Sequence, residues 1–308
     1  MFTKRNLPPS SLWLVTHPES DTEYMHFQPQ MTDGSTRRAV DVTPFDAAAR
    51  GFSPVNAWWL ADAALLSYWD ANVATTRFRE QAGLESEFFT NGGTQAYVAW
   101  NDSAVIVAFR GTQPNQQADI WSDVDFVPTA WANGGKVHEG FAAALDAVWT
   151  AIAARLQALD GRTVWFAGHS LGAAVATLAA DRFGPAASAY TLGSPRVGDP
   201  EFVAGFNERH ARRSFRYVNH HDVVTHVPPS RWGFGHVDSE QHFDADGRAA
   251  GVSLRGADVL EAAARHLAEQ VDLIVSGSSL VPPSVIDHTP RRYSTLVWNA
   301  FVEASVRV

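Results

Sequence analysis

Apolar residues recur along this chain at two different periods. After Ser53-Pro54, the residues Ala57, Leu60, Ala61, Ala64, Leu65 and Tyr68 return at helical spacing. Ser53 supplies an N-cap there and Pro54 a preset first helical position. Thr94–Asn101 and Ala104–Arg110 read as strands around a short Asn-Asp turn. The second contains Ala-Val-Ile-Val-Ala-Phe, apolar on both faces, which suits a central strand covered by helices. Lys136–Leu159 reads as a helix with Phe141, Leu145, Val148, Trp149 and Ile152 on one stripe. Thr163–Ala167 is a short apolar strand, and the helix Leu171–Phe183 follows it with almost no loop. Ala187–Leu192 and Ser214–Asn219 are further strands with a helical stretch between them. Ala257–Val275 is the last clear helix.

Strands alternating with helices over residues 94–219 predict an α/β fold, a mostly parallel central sheet with helices on both faces. Residues 1–45 are polar, aperiodic and carry prolines, and read as an extension packed on the main body. Residues 46–308 read as one domain. Ser276–Pro290 reads as a long loop, a kind of segment that tends to be functional inside a compact domain.

Composition narrows the chemistry. The formal net charge is -9, which argues against nucleic acid or an anionic membrane surface as the main partner. There is no cysteine, so disulfides, thiolate metal sites and a cysteine nucleophile are excluded. No run approaches the ~18 apolar residues of a membrane span. The N-terminal apolar run is only Ser-Leu-Trp-Leu-Val, against the roughly 7–15 residues of a secretory core. No export signal is expected from it, which leaves cytoplasmic residence or a signal-independent route.

The sharpest local feature is Gly168-His169-Ser170-Leu171-Gly172, set between a predicted strand and a predicted helix. This is the G-x-S-x-G nucleophile elbow in its required context. A serine there needs a base, and the base needs an orienting acid, in the chain order serine, acid, histidine. Asp222 follows the strand Ser214–Asn219 and is favoured over Asp181 or Asp199. The histidine is to be found among His226, His236, His242, His266 and His288. His266 falls inside a predicted helix and His226 is close to Asp222, whereas His288 lies in the long loop, within reach of the sheet's edge. An oxyanion site needs two backbone N–H groups. Leu171 after the nucleophile supplies one, and Thr112 after Gly111 is the candidate for the other. No cofactor or metal is expected: His138-Glu139 lacks the second histidine of a zinc motif, since position 142 is alanine.

Seven segments in one order carry a resemblance. They are Phe109-Arg110-Gly111-Thr112, Trp121 and Asp123 ahead of Phe126-Val127-Pro128, and Val137-His138-Glu139-Gly140-Phe141. The elbow follows, then Gly193-Ser194-Pro195-Arg196-Val197-Gly198, Asn219 through Asp222 with Val227-Pro228-Pro229, and Asp287-His288. Together they resemble the class 3, fungal-type lipase family of α/β-hydrolases over about residues 50–300. The resemblance implies a triad of Ser170, Asp222 and His288, an oxyanion N–H from Thr112, and Asp123 holding the Thr112 hydroxyl. It also implies a lid over Gln113–Trp121, which includes Gln113, Pro114, Ile120 and Trp121. Only Ile120 and Trp121 are clearly apolar there, so weak interfacial activation is expected. The implied activity is hydrolysis of carboxylic esters of lipids, with phospholipase A1 or feruloyl esterase chemistry as relatives on the same fold. A non-catalytic binding domain is the alternative of another class. The implied partner is a neutral lipid or other ester, met through transient contact with a lipid interface. The base must be neutral, so activity is expected to fall below about pH 6–7.

Overall fold

The computed structural model describes residues 1–8, 26–112, 126–237, 240–250 and 283–306. Helices are α1 (Ala39–Val42), α2 (Pro54–Leu66), α3 (Ala71–Ala82), α4 (Glu139–Ala158), α5 (Leu171–Phe183), α6 (Pro200–Arg209), α7 (Pro283–Ile286) and α8 (Pro290–Val306). Strands are β1 (Glu85–Asn91), β2 (Thr94–Trp100), β3 (Ala104–Phe109), β4 (Pro128–Ala130), β5 (Lys136–His138), β6 (Thr163–His169), β7 (Ser188–Leu192), β8 (Ser214–Asn219), β9 (Glu240–Phe243) and β10 (Ala249–Ala250). The main sheet runs β1-β2-β3-β6-β7-β8-β9-β10, and β4 pairs β5 in a separate ribbon. β3, β6, β7, β8 and β9 are parallel neighbours, with antiparallel pairs at each edge.

The central strands are buried on both sides, as their unbroken apolar runs require. Ile106 and Ala108 of β3 face a core built with α2 and α8, while Val105, Val107 and Phe109 face one built with α4 and α5. Burying each such large side chain stabilises by about 1.5–3 kcal/mol. α2 begins as expected, with the Ser53 hydroxyl accepting from the N–H of Asn56 at 3.3 Å. It is buried all round, Asn56 to Leu66, because it lies between the sheet and α8.

Three expectations need correction. Residues 136–138 are a strand, not the start of a helix. Lys136–His138 pairs with Pro128–Ala130, and α4 begins only after His138, whose ring nitrogen accepts from the Gly140 N–H at 3.0 Å. His288 lies not in an open loop but in the short link between α7 and α8. Pro283 and Pro290 begin those two helices, where the missing N–H costs nothing. α8 itself is a clear helix beyond Ala257–Val275; the latter lies outside the described residues. Of the N-terminal segment, Phe2 packs edge-on to Trp298 at 5.6 Å, and the Trp298 indole donates to the Thr3 carbonyl at 2.9 Å.

Candidate active site

The elbow joins β6 to α5 through one residue. Ser170 has φ 60° and ψ −130°, a left-handed φ that a side chain rarely adopts. Such a conformation costs about 1–3 kcal/mol and persists only where its surroundings enforce it. Here the Ser170 N–H donates to the Leu192 carbonyl at 3.0 Å, anchoring the turn to β7. The flanking glycines permit close approach. A methyl group on Gly168 would lie 2.2 Å from the Gly172 carbonyl oxygen, and one on Gly172 would lie 2.2 Å from that of Phe109. Either would drive α5 away from the strand ends.

Ser170, Gly193 and Asp222 leave the carboxyl ends of β6, β7 and β8 in turn, the end of a parallel sheet where ligands bind. His288 Nε2 lies 2.8 Å from Ser170 Oγ, and His288 Nδ1 lies 2.8 Å from Asp222 Oδ2. Asp222 accepts only, so Nδ1 carries the hydrogen and Nε2 receives the Ser170 O–H. All three side chains are buried. The second Asp222 oxygen accepts from the Val224 N–H at 2.9 Å, which closes the turn after β8. Gly193 leaves room for the pair: a methyl there would lie 2.7 Å from Asp222 Oδ2 and 2.9 Å from His288 Nδ1. This is a hydroxyl, an imidazole and a carboxylate in series, the arrangement that activates a serine.

Residues 106–232 match the family model described as Lipase (class 3). The chain is 35% identical over 164 residues to a lipase of Rhizomucor miehei, covering 48% of this chain and 44% of that one. It is 36% identical over 164 residues to secreted mono- and diacylglycerol lipase 1 of Fusarium solani, covering 50% and 49%. Lipase II from Rhizopus niveus superposes with a TM-score of 0.51 at 28% identity, over 61% of this chain and 78% of that one. Over residues 106–232 the chain is similar to the class 3 lipases. It spans less than half the length of these two curated relatives.

Two features of this site escape a motif reading. Tyr293, one turn into α8, donates from its hydroxyl to Asp222 Oδ2 at 2.6 Å and accepts from the Asn219 N–H at 2.9 Å. Had the apolar spacing of Tyr293, Val297 and Phe301 been read as a helix, its first turn would have pointed to this partner. Asn219 also donates from its side chain to the Asp287 carbonyl at 2.8 Å, tying the acid strand to the residue before His288. The second missed residue is His169, which lies beneath the triad with its ring 4.5 Å from that of His288.

Leu171 opens α5, whose first N–H groups lack helical partners. Gly111 brings the backbone leading into Thr112 against the elbow: a methyl on Gly111 would lie 3.0 Å from Ser170 Cβ. Gln113, Pro114, Ile120, Trp121 and Asp123 lie outside the described residues, as does His266. The other acids and histidines have different work. Asp181 accepts from Trp131 at 2.7 Å and from Arg209. Burial would raise its pKa, and the surrounding donors hold it at about 2. Asp199 caps α6, accepting from the Phe202 N–H at 2.9 Å. His236 bonds the Thr225 carbonyl at 2.6 Å. His138, pushed down to about 4 by burial, caps α4. Among the described residues, no cluster of three or more His, Asp or Glu side chains could hold a metal, and no helix is long and apolar enough to cross a membrane.

Proposed function

We propose that this chain is a serine hydrolase of carboxylic ester bonds in lipids, a triacylglycerol lipase or carboxylesterase. The observation that carries the reading is the unbroken Ser170–His288–Asp222 chain at 2.8 Å and 2.8 Å on a strained elbow. Ser170 Oγ attacks the ester carbonyl carbon as its proton passes to His288 Nε2. Asp222 keeps the ring in the required tautomer and stabilises the imidazolium. The N–H groups of Leu171 and Thr112 receive the oxyanion. The tetrahedral species collapses, the C–O bond breaks, and His288 gives its proton to the leaving alkoxide. A water, deprotonated by His288, then releases the acid from Ser170.

The substrate is a neutral lipid or other ester, consistent with the acidic charge of the chain. Exposed Val127 and Trp232, the latter packed on Phe126 at 5.4 Å, support transient contact with a lipid surface. The test is a panel of p-nitrophenyl esters of increasing chain length, emulsified triacylglycerol and phospholipid. Ester cleavage that Ser170→Ala lowers by at least ~10⁴ is expected. A folded chain that cleaves none of them would overturn the proposal. Preference for phospholipid would redirect it to the phospholipase branch of the same chemistry.

A further inference from the structure

His169, beside the nucleophile in sequence, takes no part in the steps above. Yet it is fully buried and both its ring nitrogens are engaged. Nε2 lies 2.6 Å from the main-chain carbonyl oxygen of His288. A carbonyl only accepts, so Nε2 carries the hydrogen. Burial first, and then nearby His288, lower the His169 pKa well below its ordinary 6.5, so the ring is neutral and Nδ1 is an acceptor. Its partner at 2.8 Å is the hydroxyl of Tyr68, which therefore donates. The same hydroxyl lies against the backbone of Gly111, where an added methyl would come within 2.3 Å of it. A path results: Gly111 packed on the Tyr68 hydroxyl, Tyr68 hydrogen-bonded to His169, and His169 to the carbonyl of His288.

The two ends of that path are far apart in the chain. One is the backbone that leads into Thr112, and the other is the residue that carries the base. An oxyanion donor and a base serve one reacting carbon only if they are held to within about 0.5 Å of each other's required positions. Apolar packing alone leaves such a register loose, whereas directional bonds in a dry interior do not. Burying a hydroxyl and an imidazole is costly unless both are paired. Here both have their partners.

We infer that Tyr68 and His169 are positioning residues, a relay that sets the oxyanion loop and the triad histidine in register. The inference rests on the ester-hydrolase reading. It differs from a packing role in what it predicts for the transition state. Tyr68→Phe keeps the ring and removes the hydroxyl, and with it the bond to His169 and the contact with Gly111.

The experiment measures kcat, KM for a soluble p-nitrophenyl ester, and the Ki of an alkylboronic acid that mimics the tetrahedral species, all well below the melting temperature. Tyr68→Phe should lower kcat about tenfold and raise the boronate Ki by a similar factor, with KM within about twofold. A histidine pair separates the two links. The amide of His169→Gln reaches the old Nε2 position and keeps the bond to His288. That of His169→Asn reaches only the Nδ1 position and loses it. The Gln variant should retain more kcat than the Asn variant. Tyr68→Phe with unchanged kcat and boronate affinity, even at a lower melting temperature, would overturn the relay. So would equal kcat in the Gln and Asn variants. Wild-type protein that neither cleaves the ester nor binds the boronate would instead overturn the hydrolase reading, and the relay with it.

Discussion

Gly193→Ala would push a methyl group between the triad acid and its base. The added carbon would lie 2.7 Å from Asp222 Oδ2 and 2.9 Å from His288 Nδ1. Ordinary contact needs about 3.5–4.0 Å, so the pair must retreat by about 0.6–1.3 Å. The φ of +57° at this residue adds a second cost, about 1–2 kcal/mol for a residue with a side chain. A displacement of ~1 Å in a reacting array costs ~10² in rate, equivalent to about 2.7 kcal/mol of barrier. We therefore expect kcat to fall about 100-fold with KM nearly unchanged. Backbone strain has its own control. Gly161 has φ +85° with nothing within 4 Å of an added methyl. Gly161→Ala should lose stability by a similar ~1–2 kcal/mol and keep full activity. Soluble-ester kinetics with urea denaturation of both variants makes the comparison. A Gly193→Ala enzyme as active as Gly161→Ala would refute the claim that the Asp222–His288 contact is tuned by the space at Gly193.

Tyr293→Phe removes a donor from Asp222 and leaves the Asn219 N–H without its acceptor. It should cost about 1–3 kcal/mol in urea denaturation and lower kcat about tenfold; no change in either would contradict the assigned bonds. Arg196, buried, donates to the carbonyls of His226 and Pro228 after the acid. Arg196→Met should destabilise by ~2–3 kcal/mol, read as a lowered melting temperature. Burial raises the Asp62 carboxyl from its ordinary 3.8 to about 7 against the donors that surround it. The folded chain then holds that proton more tightly than the unfolded one, so its contribution is full below about pH 4 and is lost as pH rises through about 7. Wild-type stability relative to Asp62→Asn should fall between pH 5 and pH 8, by a part of the ~4 kcal/mol the full shift represents. A pH-independent difference would refute the raised value.

The legible parts of the fold were those where one physical cause dominates. β3 and β6 are apolar on both faces because helices cover both faces, and α2 carries its own start signal in Ser53-Pro54. Residues 136–138 were misread because Val137 and Phe141 share a helical spacing. The short ribbon with Pro128–Ala130 and the cap at His138 are tertiary features that periodicity does not carry. β1 was missed for a related reason: Phe88 and Phe89 sit on an edge strand with exposed neighbours, so neither period stands out. In the site, Ser170 was legible from the steric demand of two glycines on one turn. Asp222 followed from the end of a strand. The place of His288 could be read, but its setting could not. Two prolines that looked like loop residues are the first residues of α7 and α8. Tyr68, His169 and Tyr293 hold polar roles inside apolar patterns, and only the hydrogen bonds distinguish them from core residues.

The central claim is that Ser170 is a nucleophile activated by His288 and Asp222. A fluorophosphonate probe tests it most directly, with intact mass and peptide mapping as the readout. One adduct per chain on Ser170 is expected, absent in Ser170→Ala and greatly slowed in His288→Ala. A folded chain that takes up no probe, or takes it up on another residue, would contradict the account.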